Sequence, residues 1–138
     1  MKESMSTIQD NIINDFSKFD DWFDIYEYLM NRGKSNKYLD ENIRTDDNII
    51  GGCQSSVWIK ANKINEKIQF SGDSDSLIIK GILTLIFDVV NDQNPGKIMK
   101  SDFYFLDKIG LKSNLSPSRV NGLNAIINKI KSKAENML

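Results

Sequence analysis

Cys53 is the only thiol in this sequence, and it stands in "NIIGGCQSSVWIK", residues 48–60, behind two glycines and ahead of a strand-like run. A thiol attacks as its thiolate, which needs a neighbouring cation, a helix N-terminus or a cluster of backbone N–H groups. Arg44, Lys60 and Arg119 are the cations the sequence offers for that purpose. Gly51 and Gly52 permit backbone conformations closed to other residues, so position 53 is expected on a turn, where a thiol can be presented to a partner. The competing reading is a buried, inert thiol, because free cysteine commonly behaves as a small hydrophobe.

Composition removes most other chemistry. One cysteine forms neither an internal disulfide nor a thiolate cluster, and the absence of histidine removes the commonest metal ligand and the imidazole base of Ser-His-Asp and Cys-His machineries. Eighteen Lys and Arg against 19 Asp and Glu leave a formal charge of −1, so no broad basic face for nucleic acid or anionic lipid is implied. The opening "MKESMSTIQD" lacks an apolar h-region, and the apolar run 77–90 is short and interrupted by Lys80 and Asp88. A soluble, cytoplasmic protein of one domain, residues 1–138, is the expectation.

The elements that must position Cys53 are legible from periodicity. Ile8, Ile12, Ile13 and Phe16 mark one helical face, with Ser6 or Thr7 as N-cap. A second helix is capped by Asp20 or Asp21, striped by Trp22, Tyr26, Leu29 and Met30, and stopped at Gly33. Residues 34–48 are polar and aperiodic and read as a loop. "SVWIKANKINEKIQFSG" predicts an antiparallel hairpin turning at "NKINE" and closed by Gly72. A buried central helix, apolar nearly all round from Leu77 to Val90, follows with Asp73 or Ser74 as cap. Short helical turns are expected at "PGKIMK" and "FYFLDKIG". Ser116 and Pro117 then open a last helix faced by Val120, Leu123, Ile126, Ile127 and Ile130. The order describes an α+β fold, a small antiparallel sheet packed against helices.

Several side chains carry two readings. Asp73 and Asp75 are most simply a cap and a first-turn acid of the central helix, or else a turn that packs near the cysteine and fixes its position. Gln54 and Ser55 either donate hydrogen bonds to the sulfur or merely complete the turn. Trp58 is expected to pack in the core on at least one face. Arg119 falls in the first turn of the last helix, where the macrodipole disfavours a cation, so a solvated side chain or a compensating ion pair is expected. Lys129, Lys131 and Lys133 form a basic cluster suited to the C-terminal end of that helix.

Three co-linear blocks, "GCQSSVWI" at 52–59, "GDSDSLIIKGIL" at 72–83 and "LSPSRVNGLNAI" at 115–126, resemble the signature blocks of the SufE family of sulfur acceptors. The aromatic-rich "FDDWFDIYEYLMNRGK" resembles that family's second helix, so the likeness spans nearly the whole chain. Asn36 and Lys37 stand where members often carry Leu-Pro, a departure that bears on the loop and not on sulfur chemistry. The resemblance implies an α+β fold similar to the IscU-type scaffolds. It also implies a partner role to a PLP-dependent, SufS-like cysteine desulfurase, with PLP on the desulfurase and no cofactor on this chain.

On that resemblance Cys53 takes sulfane sulfur from the desulfurase persulfide, stimulates the desulfurase, and yields the sulfur to an iron–sulfur assembly scaffold of the SufBCD type. Arg119 would face the cysteine loop and favour the thiolate or persulfide anion. Two other readings stand beside this one: an adaptor that activates a desulfurase allosterically with an inert Cys53, and a redox sensor halted at sulfenic acid for want of a resolving cysteine. A paralogue of the CsdE type serving another sulfur destination, and a weak homodimer, are open alternatives within the relay reading.

Overall fold

In the computed structural model, which describes residues 2–35, 37–52 and 55–138, Asn65 and Glu66 both adopt positive φ, 52° and 67°, and close a two-residue turn. That turn matches the right-handed twist of paired strands. It joins β1 (Val57–Ile64) to β2 (Lys67–Ser74) as an antiparallel pair with Ile64 opposite Lys67 and Val57 opposite Ser74. The expected hairpin is therefore present, but β2 runs two residues past Gly72. Alternation puts Val57 and Ile59 of β1, and Ile68 and Phe70 of β2, on the buried face.

That face packs on α3 (Leu77–Val90), whose wholly buried Ile82, Leu83, Ile86, Phe87, Val89 and Val90 make it the central helix the sequence implies. Phe87 stacks on Phe70 at 6.1 Å between ring centroids. At the far end Asn91 accepts from the Phe70 N–H at 2.7 Å and donates to its carbonyl at 3.0 Å, so α3 is stitched to β2 where it ends. Ser76 is the cap of α3, its hydroxyl accepting from the Ile79 N–H. Asp73 and Ser74 belong to the strand instead, which corrects their reading as caps.

On the other side of α3 lies α2 (Trp22–Lys34), capped by Asp21. Leu29, wholly buried, marks the contact, and its truncation would cost about 2–5 kcal/mol. The helices touch backbone to backbone. A Cβ on Gly81 would fall 1.9 Å from the Leu29 carbonyl oxygen, and one on Gly33 2.7 Å from the Leu77 oxygen. Gly33 is thus buried within α2 for close approach, one residue before the helix ends, and is not its stop. Tyr26 of the expected stripe faces solvent, while Ile25 and Tyr28 pack on the core.

The first helix, α1 (Met5–Phe16), is capped by Ser4, two residues earlier than expected. Beyond α3 come α4 (Pro95–Lys100), α5 (Phe105–Lys108) and an unanticipated turn, α6 (Leu111–Asn114). Then α7 (Pro117–Glu135) follows, capped by Ser116 and buried along Leu123, Ile126 and Ile130. Residues 37–48 are more ordered than their polarity suggests. They hold a 3-10 turn at Glu41–Ile43 and a bridge between Leu39 and Gly72, and they lead to a bridge between Ile49 and Trp58. Among the described residues, seven α-helices around a two-stranded antiparallel sheet make the fold α+β. None of those helices is long and apolar enough to cross a membrane.

Candidate functional site

The described residues flanking Cys53 meet at a closed base. The Ile50 N–H donates to the Val57 carbonyl and the Ile59 N–H to the Asn48 carbonyl, both at 2.9 Å, so residues 48–50 run antiparallel to the start of β1. Residues 51–56 connect the two sides. Gly52 has φ 85°, a left-handed conformation that costs roughly 1–2 kcal/mol in other residues, and a Cβ there would lie 3.6 Å from Ala125 of α7. Gly51 has neither a positive φ nor a neighbour within 4 Å of its Cβ position, so nothing in the fold demands glycine there. The expectations for Cys53 and Gln54, like that for Asn36, lie outside the described residues.

The trailing arm of the loop is held from the turn between β2 and α3. Asp75 accepts from the Ser56 N–H at 3.1 Å and its own N–H donates to the Ser56 carbonyl at 3.3 Å. The Ser74 hydroxyl donates to the same carbonyl at 2.8 Å, and accepts from the Ser76 N–H at 3.1 Å. Asp75 therefore anchors the loop and does not serve chiefly as a first-turn acid. Asp73, 1% exposed, plays a supporting part: its carboxylate accepts from Arg44 Nε at 2.7 Å and from the Ser74 N–H at 2.8 Å, with Lys80 Nζ 3.8 Å away.

These contacts sort the three candidate cations. Arg44 is taken by Asp73 and lies 4.9 Å over the Trp58 ring, and the hydrogen bond to Asp73 raises its already high pKa. Lys60 is exposed on β1. Arg119, in the first turn of α7, shares a cleft with the loop. A crevice of about 10 Å³, the size of one water molecule, is lined by Ser55 and Val57 from the loop side, Ile79 from α3, and Arg119, Gly122 and Ile126 from α7.

Arg119 Nη1 donates to the Ser76 hydroxyl at 3.2 Å. Among the described residues it forms no ion pair, so of the two expectations, a solvated side chain or a compensating ion pair, the second is not met. The guanidinium charge and the N-terminal ends of α3 and α7 thus add with one sign at the crevice, a field that stabilises an anion.

The C-terminal lysines do not act as one cluster. Lys131 lies over the Phe103 ring at 5.7 Å, whereas burial, with a smaller push from Lys129, lowers the pKa of Lys133. Among the described residues no group of three or more acid, cysteine or histidine side chains is placed to hold a metal ion. Sequence reasoning missed Ser76, and named Ser74 only as a cap and as part of the turn near the cysteine. The string "GDSDS" offers five candidate positions, and only the length of β2 decides which one caps α3.

A family model described as a SufE, Fe-S metabolism associated domain matches residues 10–134. An uncharacterized SufE-like protein of Rhizobium meliloti (strain 1021) is 34% identical over 137 residues, covering 96% of this chain and 98% of that protein. A SufE-like protein of Rhizobium etli is 36% identical over 131 residues, covering 91% and 88%. In fold the chain is similar to a hypothetical protein of Thermus thermophilus solved in solution, with a TM-score of 0.76 at 13% identity over 94% of this chain and 95% of that one.

Proposed function

This chain belongs to the SufE family, and we propose on that premise that Cys53 accepts sulfane sulfur from the persulfide of a PLP-dependent cysteine desulfurase and passes it to an iron–sulfur assembly scaffold. The observation that carries the reading is the Arg119 guanidinium, without an ion pair among the described residues, in the crevice it shares with Ser55. The described residues on either side of Cys53 and Gln54 support the reading: Gly52 approaches Ala125 of α7, and Ser55 lines the crevice with Arg119.

The reaction balances without a base or cofactor on this chain. The Cys53 thiolate attacks the outer sulfur of the desulfurase persulfide, a new S–S bond forms, the old one breaks, and the desulfurase cysteine leaves as thiolate. Cys53 then carries –S–SH. A scaffold thiolate repeats the attack on the outer sulfur and Cys53 is restored. Arg119 stabilises the anionic sulfur in both steps, and removal of the persulfide stimulates the desulfurase.

The test is intact mass after incubation with a cysteine desulfurase and L-cysteine without reductant, beside Cys53→Ser. A gain of one sulfur atom, reversed by dithiothreitol and absent from the variant, is expected, together with loss of stimulation in the variant. A variant that still stimulates the desulfurase, with no sulfur adduct on the parent chain, would replace the relay by an allosteric adaptor.

A further inference from the structure

A second cleft lies where the N-terminal end of α1 faces α4. It encloses about 530 Å³ and shares no lining residue with the crevice at Arg119. That volume falls within the roughly 300–1,000 Å³ of small-molecule pockets.

Its walls are rich in unused donors. Met5 and Ser6 are the first two residues of the twelve-residue α1, and their N–H groups precede any intrahelical acceptor. Lys97 and Lys100 of α4 line the facing wall, and neither is in an ion pair among the described residues. Gln9 adds an independent sign. It is 2% exposed and lines the cleft, and its Oε1 accepts from the Phe105 N–H at 3.3 Å, yet its Nε2 has no partner among the described residues. That nitrogen is not sealed off from solvent, so the cleft is where its two N–H bonds can find acceptors.

The wall is also rigid. Gln93 Nε2 donates to the Glu3 carbonyl at 3.0 Å, and the Tyr104 hydroxyl bonds to the Ser6 carbonyl at 3.1 Å and to Asp10 at 2.7 Å. The Asp10 hydrogen bond raises the Tyr104 pKa, so the phenol stays protonated as this strut. Asp102 lines the cleft as well and offsets one of the two lysines. Bulk charge alone therefore would not select a ligand, whereas fixed donors would.

We propose that this cleft binds a small organic oxyanion, its phosphate or carboxylate head group seated among the Met5 and Ser6 N–H groups, the Gln9 carboxamide, Lys97 and Lys100, and its organic body against Met5 and Tyr104. The inference is independent of the sulfur relay.

The experiment is amide and carboxamide NMR titration of the full chain with inorganic phosphate and with citrate, against sodium chloride at matched ionic strength, repeated on Lys97→Glu/Lys100→Glu. Both lysines are exposed, and an unchanged spectrum elsewhere establishes that the variant folds. Saturable shifts at Met5, Ser6 and the Gln9 carboxamide with phosphate, citrate or both, weakened at least tenfold in the variant, are expected, and which probe saturates assigns the head group. Shifts that follow chloride equally, fail to saturate, or persist in the variant would overturn the proposal.

Discussion

Arg119 and Ser76 lie 3.2 Å apart, Nη1 to Oγ, and this one hydrogen bond joins the first turn of α7 to the cap of α3. The Ser76 hydroxyl therefore does two things: it caps its own helix and orients a guanidinium that no acid among the described residues neutralises. Arg119→Ala should leave the fold intact, because neither an ion pair nor core burial is lost. It should raise the Cys53 thiol pKa and slow sulfur acceptance near neutral pH by up to about tenfold, the equivalent of one pKa unit. Iodoacetamide alkylation rate against pH, compared between parent and variant, checks this; identical profiles would remove Arg119 from the site.

Asp73 anchors the turn that holds the loop. Replacing it by Ala leaves Arg44 and Lys80 without their acid and the Ser74 N–H without its acceptor. Because Arg44 and Lys80 are about a third exposed, the cost falls below that of a fully buried pair, at about 1–3 kcal/mol. Urea denaturation measures it, and an unchanged midpoint would contradict the anchoring role.

Gly81→Ala tests the α2–α3 contact. Its Cβ meets the Leu29 backbone, which has no rotamer to escape into, so the loss should reach about 3 kcal/mol or more. Thermal unfolding should show a lowered midpoint, while Gly51→Ala, in open space, should change little.

Tyr38 gives a pH signature. Burial first, and then its 2.6 Å hydrogen bond to Asp88, push the phenol well above its ordinary pKa near 10. A folded-state pKa above the unfolded one means the folded chain holds the proton longer, so this stability is whole below pH 10 and is lost as pH rises through the folded value. Tyr38→Phe should be less stable at pH 8, and the gap should narrow above pH 10. Urea midpoints at pH 8 and 11 decide it.

The sequence was most informative where one period ran long. The apolar stretch of α3, the stripe of α7 and the alternation of β1 and β2 each bury what their spacing implies. It was least informative where several residues compete for one task. "SMST" and "GDSDS" each hold several possible caps, and tertiary packing chose Ser4 and Ser76. Gly33 reads as a terminator until α3 is seen against it. Asp73 reads as a cap until Arg44, 29 residues earlier, arrives across the sheet end. The candidate site was legible in its residue types, Arg119 and the Asp73–Asp75 turn among them. That no acid among the described residues pairs with Arg119 was not, because only the assembled fold reveals which charges meet.

Trp58 opposes Ile49 across the base of the loop and lies beneath Arg44. Only one other tryptophan is present, Trp22 on α2. With Trp22→Phe the chain would carry a single indole, seated between the loop's leading arm and a cation. Its emission would then act as an intrinsic optical gauge of that arm, reading partner engagement or sulfur loading in real time without a label.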